Sequence, residues 1–308
     1  MARKKRKNGK KSLLGRSVFM LGVVALVIFG RQIKNKDSFD DLVIEASKAM
    51  NETTELLVKE VEKIVEQDKI EERVPLMDSS TFSDMEIPLV RASDTRILKR
   101  TGYTLSYNDT WRIPNWVAWQ LTGERVNGKV KRSDEFVVDP DLPDHVRSEH
   151  RDYSGSRYDR GHMAPAGDMK WDERAMQESF YMSNMCPQAP NLNKGDWRVL
   201  EERCRKWAER YGTLFIACGP IVNESVNHKK IGRSNKVLVP DGFFKVVLKL
   251  GEHPSAIGFI FPNDDCDLAL DDYAVSVDSV EAVTGIDFFY RLADEQENLL
   301  ESQKNIKW

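Results

Sequence analysis

"LNKGDWRVLEERCRKWAERY" (Leu192–Tyr211) runs almost directly into "TLFIACGPIV" (Thr213–Val222). In the first stretch Trp197, Leu200, Cys204, Trp207, Ala208 and Tyr211 recur at spacings of three and four. That periodicity gives one apolar face and predicts a single amphipathic helix over 192–211. The second stretch is a short apolar run, and reads as a buried strand. Two more such runs follow, "FFKVVLKL" (Phe243–Leu250) and "SAIGFIFP" (Ser255–Pro262). Upstream, "TLSYNDTWRIPNWVAWQLT" (Thr104–Thr122) alternates like strands, with Pro114 as punctuation and "NWVAWQLT" as a strand of its own. Asn127-Gly128 predicts a hairpin turn. A short helix is expected around 171–179 and a strand at "FYMSN" (Phe180–Asn184), and "SVDSVEAVTGIDFFYRL" (Ser276–Leu292) reads as a helix and a closing segment. Strands gathered in hairpins with helices over them give an α+β fold with a largely antiparallel central sheet.

The chain has 308 residues, of which 41% are hydrophobic and 31% charged, enough for one well-buried globular body. Its net charge of -3 is unevenly spread. Residues 1–36 carry eleven Lys/Arg and no acid; residues 37–90 carry five basic and fifteen acidic side chains. Residues 91–212 are slightly basic, which permits a polyanionic partner without demanding one. The four cysteines show no zinc-type spacing and are compatible with disulfides or with buried thiols.

Three regions are expected. Residues 1–36 join a basic stretch to the uncharged "SVFMLGVVALVIFG" (Ser17–Gly30), the pattern of a signal peptide or an uncleaved signal-anchor, so the body is expected to be exported or membrane-anchored. Residues 37–86 read as an acidic helical stalk and linker, and 87–308 as the globular domain.

The chemistry gathers around "YDRGHMAPAGDM" (Tyr158–Met169), where one of only five histidines, His162, follows Asp-Arg-Gly. A lone histidine near a turn is usually structural. Downstream, however, stand Asn184, Asn193 and Glu201. Asn193 and Glu201 are eight residues apart, which on one continuous helix lets both address one point. An amide oxygen is a hard neutral ligand suited to Mg²⁺, and a carboxylate one step out can orient its waters.

With these residues the chain resembles the DNA/RNA non-specific endonucleases of the ββα-metal superfamily. The matching stretches are "DRGH" (Asp159–His162), "SNMCPQ" (Ser183–Gln188), "LNKGDWRVLE" (Leu192–Glu201), "CGP" (Cys218–Pro220) and "VTGIDFF" (Val283–Phe289), in that family's order. The resemblance implies a ββα-metal finger with His162 as general base, Asn193 as direct metal ligand and Glu201 holding the metal through water. It implies that Asn184 assists at the site, and that Arg132 and Arg160 contact phosphate. Mg²⁺ is the implied ion, with Mn²⁺ as a substitute. The implied substrates are DNA and RNA, read through the backbone without sequence preference and cut to leave 5′-phosphates; a homodimer is the implied assembly. No recognition helix or zinc-finger pattern is present to read base edges. The rival readings are a membrane-anchored nucleic-acid receptor in which cleavage is secondary or lost, and a phosphodiesterase acting on a smaller substrate.

Overall fold

The computed structural model describes residues 83–89, 96–251, 253–266, 268–306 and 308. The anchor expected of residues 1–36, and residues 37–82 of the expected stalk and linker, lie outside the described residues. Eleven strands are β1 (Ile97–Lys99), β2 (Thr104–Asn108), β3 (Ile113–Leu121), β4 (Asp159–His162), β5 (Met185–Gln188), β6 (Leu214–Ile221), β7 (Lys230–Ile231), β8 (Val237–Leu238), β9 (Gly242–Lys249), β10 (Ser255–Pro262) and β11 (Ala274–Val275). The α-helices are α1 (Gly123–Val126), α2 (Glu173–Glu178), α3 (Pro190–Lys194), α4 (Asp196–Tyr211), α5 (Val277–Thr284) and α6 (Asp294–Glu301).

Seven strands form one sheet in the order β1-β2-β3-β6-β9-β10-β11, and every neighbouring pair is antiparallel. The α+β reading therefore stands. The central strands read as continuous apolar runs because both faces are covered. On the front face, Trp119, Ile216, Phe243, Val247 and Phe261 pack with Trp197, Leu200 and Cys204 of α4. On the back face, Trp116, Phe215, Phe244 and Val246 pack with Val277 and Val280 of α5 and Leu300 of α6. Helix α5 lies so close to β10 that a Cβ on Gly258 would come within 2.6 Å of Val280 Cγ2. Cys186, Cys204 and Cys218 are buried thiols outside any disulfide.

Four local expectations are corrected. Pro114 does not punctuate; it sits inside β3, paired with Tyr107 where the β2–β3 register shifts. A bulge is where a strand tolerates a residue without an N–H. Asn127-Gly128 makes no hairpin: Asn127 Nδ2 donates to the Gly123 carbonyl (2.8 Å) and closes α1. A Cβ on Gly128 would meet the Lys170 carbonyl at 2.2 Å, so the glycine serves a close chain crossing. The strand expected at 180–184 forms instead at Met185–Gln188. The single helix expected over 192–211 is two helices, broken at Gly195 (φ -98°, ψ -114°), whose pro-Cβ position lies 2.4 Å from the Asn191 carbonyl.

Candidate active site

Strands β4 and β5 pair antiparallel, His162 opposite Met185, and the chain continues through α3 into α4. This strand–strand–helix unit is held at two points around His162. Met163 N–H donates to the Asn184 carbonyl (3.0 Å), extending the ladder past the strand end. The indole N–H of Trp197 in α4 donates to the His162 carbonyl (3.2 Å). Trp197 is itself 1% exposed, against Phe243 and Phe261 of the sheet. One buried aromatic thus ties the histidine to the front core.

The imidazole lies in a cluster of mutually tilted and edge-on rings with cations over two of them. Phe136 and Phe180 flank it at centroid distances of 5.6 and 4.9 Å. Arg160 covers the Phe136 ring at 4.3 Å and Arg132 covers the Phe180 ring at 4.9 Å. Arg160 and His162, two residues apart on a strand, share a face. His162 Nε2 is buried with no hydrogen-bond partner. Burial, then the nearby Arg132 and Arg160 charges, push the imidazole pKa down from 6.5 to about 3, so the ring is neutral at physiological pH. Arg132 is half-exposed and pairs with Asp134 (2.5 Å); Arg160 also touches the His150 ring (3.1 Å).

Asn193 stands on the short helix α3. Its Nδ2 donates to Asp159 Oδ2 (3.0 Å), and Lys194 Nζ neutralises the same oxygen at 3.0 Å. With the amide nitrogen tied down, the amide oxygen is the atom offered to a cation. Because Gly195 breaks the helix, Asn193 and Glu201 do not share a helical face through their eight-residue spacing; the break sets their relation. Glu201 is half-buried on α4, and its pKa is pushed up to about 7 by burial and the Asp168 charge, against Lys245, Arg205 and Arg132. That Arg132 bears on both Glu201 and His162 draws the three into one electrostatic neighbourhood.

Asn184 is fully buried and its amide is fully occupied. Oδ1 accepts from Ala164 N–H (2.9 Å), and Nδ2 donates to the Ala164 and Ser179 carbonyls, both at 2.8 Å. Through these bonds it braces the turn after His162.

Two residues escaped the sequence reading. Asp168 is buried and accepts from Trp119 Nε1 (3.1 Å) and Arg205 (3.0 Å). Lys245 is 1% exposed, with its ammonium between the Trp197 (4.3 Å) and Trp119 (4.8 Å) rings and no hydrogen-bond partner. A lysine in the middle of "FFKVVLKL", with apolar neighbours on both sides, was the available signal, because a buried charge needs a compensating partner. Here Asp168 and Glu201 compensate it.

A two-stranded hairpin carrying a neutral buried imidazole, running into an amide-bearing helix against an antiparallel sheet, defines a nuclease of the ββα-metal finger class. The sequence profile of the DNA/RNA non-specific endonucleases matches residues 83–295. The chain belongs to that family, which is metal-dependent. It is similar to Nuclease 1, mitochondrial, of Schizosaccharomyces pombe, with 37% identity over 204 residues covering 60% of this chain and 63% of that one. It is also similar to Nuclease EXOG, mitochondrial, of Danio rerio, at 36% identity covering 64% and 61%. The chain thus spans less than two thirds of the length of these relatives. A crystal structure of EndoG in complex with EndoGI matches with a TM-score of 0.60 at 32% identity, covering 65% of this chain and 88% of that one.

These relatives overturn one expectation. Both of these relatives are mitochondrial nucleases by name. Export and membrane anchoring, read from the apolar run at 17–30, do not stand.

Proposed function

We propose that this chain is an endonuclease that hydrolyses phosphodiester bonds of DNA and RNA without sequence preference. The observation that carries the reading is His162: a buried, neutral imidazole with an unpartnered Nε2, set between two arginines. A phosphate is the group those arginines select, since guanidinium donors match its oxygens in pairs. Phosphate bound by Arg132 and Arg160 cancels their positive field at the ring, which moves the imidazole pKa upward and makes it a better base. His162 Nε2 then takes the proton of the water that attacks phosphorus.

Asn193, through its amide oxygen, and Glu201 are the residues that hold the divalent cation, Mg²⁺ with Mn²⁺ as a substitute. The donor set is all-oxygen and carries a single carboxylate, which suits an ion that keeps most of its waters. When bound, the cation supplies charge stabilisation at the leaving 3′-oxygen. Asp159 orients Asn193, while Lys245 and Arg205 favour the ionised form of Glu201. Asn184 and Trp197 fix the backbone that carries His162. Products end in 5′-phosphate, and the active assembly is a homodimer.

The test is digestion of supercoiled plasmid and of RNA by the full chain over Mg²⁺, Mn²⁺ and Ca²⁺, with and without EDTA. Ligation of the products reads the 5′ ends, and light scattering reads the assembly. Cleavage of both polymers that EDTA abolishes is expected. Cleavage that survives EDTA would overturn the metal assignment, and none under any ion would overturn the function.

A further inference from the structure

Beside the candidate site lies a pocket of about 650 Å³, open between residues 151–156 and the turn joining β7 to β8, that the proposed chemistry does not use. Arg151, Lys229, Lys230 and Arg233 line it, with Ser154 and Ser234 adding hydroxyl groups. Its one acid, Asp152, is 3% exposed and already engaged: Oδ2 accepts from Glu149 N–H (2.8 Å) and from Asn235 Nδ2 (2.7 Å). Asp152 pins one wall to the other rather than neutralising the cations. Gly232 (φ +83°) crosses so near that a Cβ there would lie 2.7 Å from Asp152 Oδ1, so the spacing of the walls is fixed. Arg151 pairs with Glu149 at 2.6 Å, whereas Lys229, Lys230 and Arg233 have no ion-pair partner among the described residues.

Two contacts connect the pocket's walls to the elements of the site. The 3₁₀ turn His150–Tyr153 presents His150 to Arg160 (3.1 Å) and Arg151 to the pocket. Lys229 Nζ lies 4.7 Å from the centroid of Tyr158, the residue before β4. From Tyr158 to His162 an extended chain covers about 13 Å.

The geometry points to this pocket as a second phosphodiester subsite, which grips the nucleic-acid backbone away from the bond cleaved at His162. The inference rests on the nuclease reading above. Lysine, arginine and serine contacts to phosphate position a strand without reading its bases, as a non-specific enzyme requires.

The test compares the full chain with Lys229→Gln/Lys230→Gln/Arg233→Gln. The substrates are a duplex of about 30 base pairs and the small diester bis(p-nitrophenyl) phosphate, over roughly 50 to 200 mM salt. For the duplex, KM rises several-fold, kcat is retained, and the slope of log KM against log salt becomes shallower by about two to three. The small diester, which cannot reach the pocket, is hydrolysed as before. Lys229→Arg/Lys230→Arg/Arg233→Lys keeps the wild-type slope. An unchanged slope on the duplex, or an equal loss on both substrates, overturns the subsite. Duplex binding in EDTA, followed by anisotropy, reads the same slope without cleavage. A wild-type chain that cleaves nothing overturns the nuclease reading, while one that cleaves both substrates with the same slope in variant and parent overturns the subsite alone.

Discussion

The two faces of the sheet each hold buried ionisable groups, and they treat them in opposite ways. On the front, the displaced groups of the site have cationic neighbours: Glu201 and Asp168 face Lys245 and Arg205, and His162 faces Arg132 and Arg160. On the back, Asp278, Glu281 and Glu301 of α5 and α6 bring carboxylate oxygens within 4.8 Å of one another. Burial and then its acidic neighbours push Glu301 up to about 9. Burial likewise raises Glu281 to about 7, although the Phe288 N–H donates to it at 2.7 Å. Glu301 Oε1 is buried with no partner. The front sets its shifted groups beside cations; the back holds Glu301 protonated among acids. The comparison teaches that here a strongly shifted pKa marks the site where cations stand beside the shifted group.

The widest separation between the faces is expected in activity. His162→Ala should lower cleavage by about 10²–10⁴-fold while leaving the melting transition of a folded chain. Glu301→Gln should leave kcat and KM untouched. A back-face variant that lost activity to the same degree would end the distinction.

The next contrast lies in stability against pH, with opposite signs. Glu301 has a folded pKa above its unfolded value, so its contribution is full at low pH and is lost as pH rises toward 9. Wild type should therefore lose stability relative to Glu301→Gln above pH 5, by at most about 1.4 kcal/mol per pH unit. His162 has a folded pKa below its unfolded 6.5, so it destabilises as pH falls from about 6.5 toward 3. His162→Gln should flatten that acid limb. Denaturant melts of both variants from pH 4 to 9 check the two signs, with pH limits set by the shifts just given.

A packing probe follows. Trp197→Ala removes a fully buried indole and its bond to the His162 carbonyl, and should cost about 3–5 kcal/mol in denaturant unfolding. Trp197→Phe keeps most of the packing but not the bond, so a drop in kcat larger than its loss of stability isolates the tether. The smallest effect is Asp159→Asn, which loosens Asn193: cation affinity should fall about 10–100-fold, read as the metal dependence of cleavage.

Much of the fold was legible because its signals are local. The β6, β9 and β10 runs and the apolar face of α4 needed only periodicity, and the motif residues lie within one stretch ending at Glu201. Other features depended on distant parts of the chain. Gly195 breaks a convincing helical pattern because its backbone must pass the Asn191 carbonyl. Asn184 braces the turn after His162 through bonds to Ala164 and Ser179 that no motif announces. Phe136 and Phe180, which flank His162, fit any core, and only their approach from separate segments reveals the cluster. The 17–30 run shows the reverse error, a local pattern read as an address that the relatives do not share.

The order in which the chain is made adds a consequence. Every candidate site residue, from Arg132 to Glu201, precedes Phe243 and Phe261, the rings on which Trp197 rests. Chains are synthesised from the N-terminus, so a nascent chain carries the complete reactive set before its seat in β9 and β10 exists. A ribosome-bound chain ending after α4 should thus hold an unassembled nuclease. The topology therefore delays assembly of the site until β9 and β10 have been made.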